Sequence, residues 1–218
     1  SDTDTDGPIS PFLEPPSSNR VKFNLNYDWK FIKSDEDGAE ATAFNDSSWE
    51  DVSLPHTVND VDQFDIFVRG GPGHGWTGRI WYRKHFKLPA EYDGRKIFVE
   101  MEGMRQAGEF YINGTFIGRH ENGVGPAGLD LTDYAVFGDE ENVLAIRVDT
   151  DPNYDEFETG QDYQWDTTPF NPLYGGIVKN AYLHVTDMIY QTLPLYSNLG
   201  TSGTYVYPTN VDLDGATA

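Results

Sequence analysis

Residues 109–118 have the sequence Glu-Phe-Tyr-Ile-Asn-Gly-Thr-Phe-Ile-Gly, in which an Asn-Gly pair separates two runs rich in aromatic and β-branched side chains. Both central residues of a type I′ turn need a positive φ angle, which asparagine and glycine adopt at low steric cost. The sequence therefore predicts two antiparallel strands joined by a two-residue turn. This hairpin is a structural feature and carries no chemistry.

Further strand patterns lie on both sides of this hairpin. Residues 80–88 and 97–101 precede it, and residues 142–148 and 182–185 follow it. Residues 21–32 alternate apolar and polar side chains, as expected of a half-buried strand pair. Because residues 142–148 are mostly apolar, we expect that strand to be buried on both faces or to lie in the centre of its sheet.

Helical patterns are nearly missing from the sequence. One capped turn is predicted at residues 130–134, and no stretch of ten or more residues has the helical period. This excludes a βαβ fold and a (β/α)₈ barrel. The sequence therefore predicts an all-β fold.

Two long loops interrupt the strand patterns. The first, residues 60–78, contains five glycines, and the second, residues 149–176, contains six aromatic residues among many carboxylates. Long loops in compact domains are often functional. A shorter turn at residues 44–49 has Phe44 and Trp49 at its ends, and we expect these rings to anchor it to the core.

The composition limits the class of partner. The formal net charge is -21, from 36 acidic and 15 basic side chains, which argues against binding to nucleic acid or an anionic membrane. A neutral ligand meets no such repulsion. No apolar run approaches the roughly 18 residues that a membrane span requires. The chain has no cysteine, so disulfides contribute nothing.

Six motifs then point to a family. They are Asp-x-Ser-Trp-x-x-Val-x-Leu-Pro-His at 46–56, Trp-Tyr-Arg-x-x-Phe at 81–86, the hairpin at 111–118, Asp-Leu-Thr at 130–132, the strand at 142–148 and Gly-Gly-Ile at 175–177. Their order resembles the N-terminal sugar-binding domain of family 2 glycoside hydrolases of the β-galactosidase type. The resemblance implies a jelly-roll β-sandwich of the galactose-binding-domain-like type.

The same resemblance implies a domain organisation. We expect residues 1–20 to form a disordered leader, residues 21–190 to form the sugar-binding domain, and residues 191–218 to form a linker and the truncated start of an immunoglobulin-like domain. In the family, a catalytic barrel follows. The expected partners are therefore carbohydrate and the remaining domains of a parent glycosidase.

Candidate sugar-binding residues lie in the two long loops. A pyranose presents an apolar face and a ring of hydroxyls, so its site needs an aromatic ring beside polar acceptors. Trp165 has Asp162 and Asp166 as neighbours, and Trp76 has His74 nearby. In the resembled β-galactosidases an acidic residue just before Gly-Gly-Ile approaches the active site, and Asp162 or Asp166 occupies that region. The alternative is that this acidic loop is only a solvated surface or an interdomain contact.

Three other aromatic residues are assigned structural roles. Trp49 and Trp81 adjoin turn or strand signals, which favours the core over a ligand platform. His56 is expected to hydrogen-bond the backbone rather than to act as an acid or base.

The chain alone is not expected to catalyse hydrolysis. Retaining glycosidases use two carboxylates about 5 Å apart, and in the resembled family both come from the barrel, where the acid/base follows an asparagine. The chain contains no Asn-Glu dipeptide. No catalytic residue and no cofactor are predicted. The loop carboxylates are compatible with a structural calcium ion, because hard cations prefer oxygen ligands.

Three functions remain open from the sequence. The first is a non-catalytic accessory domain of a family 2 glycoside hydrolase whose expected substrates are β-galactosides, the second an autonomous carbohydrate-binding module, and the third a structural interaction sandwich. The acidic leader and the family's polysaccharide substrates suggest a periplasmic or extracellular location.

Overall fold

A computed structural model of the chain describes residues 18–59, 76–121, 125–151, 154–161, 175–193 and 207–209. These residues form two antiparallel sheets that pack face to face. The strands are β1 Val21–Asn24, β2 Trp29–Ile32, β3 Glu50–Val52, β4 Arg79–Phe86, β5 Lys96–Met101, β6 Ala107–Ile112, β7 Thr115–His120, β8 Ala127–Asp130, β9 Asn142–Asp149 and β10 Ala181–Thr186. Within the described ranges the one helix is a 3-10 turn, Ala90–Tyr92.

The two sheets differ in size. One has four strands in the order β1-β10-β5-β8, and the other has six in the order β3-β2-β4-β9-β6-β7. Strand β9 lies between β4 and β6, and its apolar residues are buried. The predicted all-β sandwich and the central position of residues 142–148 are thus confirmed.

The Asn-Gly hairpin forms as predicted. Asn113 and Gly114 have φ angles of 50° and 84°, and they connect β6 to β7. The Asn113 side chain also accepts a hydrogen bond from the Val143 backbone N–H at 2.8 Å. The turn residue therefore joins the hairpin to the adjacent strand β9 as well as reversing the chain.

The main core lies between the sheets, and a second cluster lies on the outer face of the six-stranded sheet. Tyr82 of β4 is fully buried in the main core, whereas its neighbour Trp81 packs outward against Trp49. Trp49 and Trp81 are only 6% and 3% exposed, which confirms their assignment to the core. Phe44 contacts Trp49 with ring centroids 5.4 Å apart, as the predicted anchoring of that turn requires.

One predicted pairing is wrong. Residues 21–32 do not form a strand pair, because β1 pairs with β10 in one sheet and β2 pairs with β3 and β4 in the other. The side chain of Asn26 fixes the crossing between the sheets. It donates to Asn180 Oδ1 at 2.9 Å and accepts from the Ala181 backbone N–H at 2.9 Å.

The sequence did not predict strands β3 and β8, but it did predict the turn at residues 130–134. Strands β3 and β8 have three and four residues, too few for a periodic pattern, and their partners β2 and β5 define them. At the predicted capped turn, Asp130 Oδ1 accepts a hydrogen bond from the Thr132 backbone N–H at 2.9 Å. Residues 1–17 and nearly all of 194–218 lie outside the described residues, so the predicted domain limits stay predictions.

Candidate functional site

Both long loops are anchored at the same end of the sandwich. Strand β4 begins there and β9 ends there, with Arg79 paired to Asp149. The side chain of Asn59 is 1% exposed and holds one end of each loop. It donates to the Trp76 carbonyl at 2.7 Å and accepts from the Gly175 backbone N–H at 2.8 Å. We call this region, defined by Asn59, Trp76 and Gly175, the loop end.

The Gly-Gly-Ile motif is explained by close backbone packing at the loop end. A Cβ atom on Gly175 would lie 2.2 Å from the Thr150 side chain, and one on Gly176 would lie 2.7 Å from the His56 carbonyl oxygen. Gly176 also has a φ angle of 130°, which favours glycine. The His56 backbone N–H donates to the Ile177 carbonyl at 2.8 Å, so the segment before the first loop runs beside this motif.

His56 packs within the fold, where its ring contacts the side chains of Tyr82 and Phe31. Nδ1 lies 2.8 Å from the Tyr82 hydroxyl, and the ring packs 4.6 Å from Phe31 between centroids. Burial raises the pKa of Tyr82 above its ordinary value, although a backbone hydrogen bond at Ile177 opposes this. The hydroxyl therefore stays protonated and serves as a hydrogen-bonding group inside the core.

Trp76 is the candidate sugar-binding residue that the structure describes. It is half-buried at the loop end, where it packs against the main core. The ammonium group of Lys33 lies 4.9 Å from its ring centroid, a cation–π distance, and Gly78 lies against the ring. Trp76 thus combines a partly exposed aromatic surface with an adjacent positive charge.

The other candidates, His74, Asp162, Trp165 and Asp166, lie outside the described residues. Their role in sugar binding stays a prediction. Asn59 nevertheless brings the end of the His74 loop to the end of the loop that carries the other three.

A cavity that the sequence did not predict lies beside the loop end, on the outer face of the six-stranded sheet. We call it the outer cavity, and its volume is about 430 Å³. It is lined by residues from β4, β6, β7 and β9 and from the start of the second loop: Arg79, Ala107, Gly108, Glu109, Arg119, Arg147, Asp149, Asp151, Tyr154, Asp155 and Phe157.

Ion pairs fix the floor of the outer cavity. Arg147 Nε donates to Asp35 at 2.7 Å and Arg79 Nε donates to Asp149 at 3.0 Å, while Arg119 contacts Glu109 at 2.5 Å. The hydrogen bond from Arg147 lowers the pKa of Asp35. Burial alone would raise the pKa of Glu109, but the hydrogen bond and charge of Arg119 together with hydrogen bonds from Tyr111 and Arg147 outweigh it, and the pKa is lowered.

Aromatic side chains form a wall of the same cavity. Phe157 is 65% exposed, and the Arg119 guanidinium lies 3.8 Å from its ring centroid. Glu121 holds this wall in place, because it accepts hydrogen bonds from the Tyr154 hydroxyl and from the Phe157 backbone N–H. These contacts join the end of β7 to positions more than 30 residues further along the chain, so no local pattern in the sequence predicts them.

The described residues show neither a metal cluster nor a membrane helix. In these ranges no three His, Cys, Asp or Glu side chains are placed to hold a metal ion. Some of the loop carboxylates lie outside these ranges, so the structural calcium ion stays an open question of the sequence. No helix in the same ranges has the length and apolar character needed to cross a bilayer.

Comparison with known proteins assigns the family. Residues 20–170 match the family described as "Glycosyl hydrolases family 2, sugar binding domain". A β-glucuronidase of Formosa agariphila is 46% identical over 198 residues, which cover 89% of this chain and 20% of that protein. A β-galactosidase of Thermoanaerobacter pseudethanolicus is 34% identical over 170 residues, covering 77% of this chain and 21% of that protein.

Solved structures agree with this match. The structure of a β-glucuronidase from glycoside hydrolase family 2 superposes with a TM-score of 0.78 at 44% identity, covering 89% of this chain and 20% of that one. The chain thus spans about a fifth of the length of the relatives it matches. The fold, the ordered motifs and the match over residues 20–170 together place this chain in the sugar-binding domain family of the family 2 glycosyl hydrolases.

Proposed function

We propose that this chain is the non-catalytic sugar-binding domain of a longer glycosidase that hydrolyses β-glucuronides. The observation that carries the proposal is the anchoring of two long loops at one end of the sandwich by the buried side chain of Asn59. Loops held together in this way can border a substrate pocket whose catalytic groups come from another domain. The fraction of each relative that is matched, about a fifth, supports such a division of labour.

The loop end would contact the sugar without reacting with it. Trp76 would pack against the apolar face of a pyranose ring, and the ammonium group of Lys33, next to it, would attract a uronic acid carboxylate. Asp162 or Asp166 would accept hydrogen bonds from sugar hydroxyls, with Trp165 and His74 completing the rim.

A β-galactoside substrate is the second candidate. The sequence motifs favoured it, and the β-galactosidase of Thermoanaerobacter pseudethanolicus at 34% identity supports it. We place the β-glucuronide first because the β-glucuronidase of Formosa agariphila is 46% identical over a larger share of the chain.

Two assays test this proposal. The 218-residue chain should not hydrolyse 4-nitrophenyl β-D-glucuronide or 4-nitrophenyl β-D-galactoside above a heat-denatured control. The complete protein that contains this chain should hydrolyse the glucuronide with a kcat/KM at least about tenfold higher than the galactoside, a discrimination of about 1.4 kcal/mol. Turnover by the chain alone would overturn the non-catalytic role, and a preference for the galactoside would favour the second candidate.

A variant of the complete protein tests the contact at the loop end. Trp76→Ala should raise KM for the glucuronide several-fold, because it removes an apolar surface that contacts the sugar. Phe23→Ala is the matched control, since Phe23 is a partly exposed aromatic residue of the edge strand β1. Equal kinetics for both variants would remove Trp76 from the site.

A further inference from the structure

We propose that the outer cavity is a second carbohydrate site, which binds a neutral saccharide unit with Phe157 as its stacking surface. The site differs from the loop end, because Trp76 is not among its lining residues. It requires no catalytic domain, so it goes beyond the proposed function.

The outer cavity has the size and the rigidity of a ligand site. Its volume of about 430 Å³ falls within the range of about 300–1,000 Å³ typical of small-molecule pockets. Its floor consists of strand residues held by the Arg147–Asp35 and Arg79–Asp149 ion pairs. A ligand would therefore meet side chains that are already ordered, which lowers the entropic penalty of binding.

The aromatic wall suits the apolar face of a pyranose. The Arg119 guanidinium covers one face of the Phe157 ring at 3.8 Å, and the ring is still 65% exposed. Part of the ring surface is therefore open to a ligand. Because Glu121 holds the Phe157 backbone at 2.8 Å, the ring is presented from a fixed segment.

The polar groups suit sugar hydroxyls. A hydroxyl both donates and accepts hydrogen bonds, so it can bridge a carboxylate and a guanidinium. Asp151 and Asp155 are exposed carboxylates at the rim, and Arg79 provides N–H donors beside them. This mixture of acceptors and donors next to an aromatic ring distinguishes the cavity from a simple acidic surface.

The charge of the outer cavity favours a neutral sugar over an acidic one. Its lining has four carboxylates, Glu109, Asp149, Asp151 and Asp155, and three guanidiniums, Arg79, Arg119 and Arg147. Each of the three guanidiniums is ion-paired to a carboxylate of the protein. The lining therefore has one more carboxylate than guanidinium, and all three of its cations are already ion-paired, so a uronic acid would be repelled rather than attracted at this cavity.

Titration of the 218-residue chain tests this proposal. Methyl β-D-galactopyranoside, observed by calorimetry or by NMR shifts, should bind with a Kd on the order of 1 mM, as expected for a ligand of this size. Methyl β-D-glucuronide should bind at least about tenfold more weakly because of its charge. Tighter binding of the glucuronide at this cavity would overturn the neutral assignment.

Three variants locate the binding. Phe157→Ala should weaken binding of the galactoside about tenfold, and Asp155→Asn should weaken it less. Tyr27→Ala is the matched control, since Tyr27 is 64% exposed, compared with 65% for Phe157, and does not line the cavity. Circular dichroism melts confirm that each variant is folded.

The outcomes separate this proposal from the proposed function. Undetectable binding, or equal binding by Phe157→Ala and the unaltered chain, would overturn the outer cavity as a sugar site. If Trp76→Ala abolished binding and Phe157→Ala left it unchanged, the ligand would belong to the loop end. That result would also overturn the outer cavity as a sugar site. Neither result depends on the substrate of the complete protein.

Discussion

At the scale of single residues, Asn59 is the side chain on which the loop end depends. Its amide bonds two backbone groups from segments that are far apart in sequence, Trp76 and Gly175. A buried polar group that loses its partner keeps its desolvation penalty, whereas an exposed group regains water. The contribution of Asn59 therefore exceeds that of an ordinary surface amide.

We expect Asn59→Ala to lower the free energy of unfolding by about 2–4 kcal/mol, because it leaves the Trp76 carbonyl and the Gly175 N–H without this partner. Asn45→Ala is the matched control. The Asn45 side chain also bonds a backbone N–H, that of Ser47 at 3.1 Å, but on the exposed surface. It should cost less than about 1 kcal/mol. Urea unfolding of both variants measures the difference, and equal losses would contradict the role assigned to Asn59.

At the scale of elements, the hairpin β6–β7 shows how a local signal fixes a strand pair. Gly114 has a φ angle of 84°, and a Cβ atom there would be no closer than 3.9 Å to Ala41. Space is therefore available, and only the backbone conformation opposes a side chain. A substitution at this position therefore measures the free-energy cost of the positive φ angle without a contribution from steric crowding.

Gly114→Val should lower the free energy of unfolding by about 1–2 kcal/mol, because a β-branched residue adopts positive φ with difficulty. Gly114→Asn should retain most of the stability, since asparagine tolerates the left-handed region. Thermal unfolding followed by circular dichroism compares the two. If both variants lost the same stability, crowding rather than the φ angle would be responsible.

At the scale of the whole molecule, the sequence predicted what depends on local signals and missed what depends on the register between strands. The Asn-Gly turn, the buried strand β9 and the burial of Trp81 follow from turn chemistry and from the pattern of side chains along one strand. The outer cavity does not, because Glu109 and Arg147 become neighbours only once β6 and β9 are aligned. The separation of β1 from β2 was missed because both strands alternate in the same way and the crossing depends on Asn26.

Charge also acts on the molecule as a whole through carboxylates with lowered pKa values. These carboxylates are Asp35, Asp46, Glu100, Glu109 and Asp130. A carboxyl group whose pKa is lower in the folded state stabilises that state above its unfolded pKa, which is about 4. This stabilisation is lost as the pH falls through the lower, folded value. We therefore expect the free energy of unfolding to be lower at pH 3 than at pH 6.

Asp46 tests which carboxylates cause this acid sensitivity. Burial alone would raise its pKa, but hydrogen bonds from His85 and Arg83 outweigh burial and lower it. Asp46→Asn should therefore reduce the difference in stability between pH 6 and pH 3. The same variant leaves the buried Arg83 without its ion-pair partner, so it also destabilises the protein at pH 6.

Asp51→Asn is the control, because it removes the exposed end of an ion pair with Lys30. An exposed pair is worth less than about 1 kcal/mol, so this variant should leave the difference in stability between the two pH values unchanged. Urea unfolding at both pH values measures the difference, and an equal change in both variants would assign acid unfolding to net charge rather than to buried pairs.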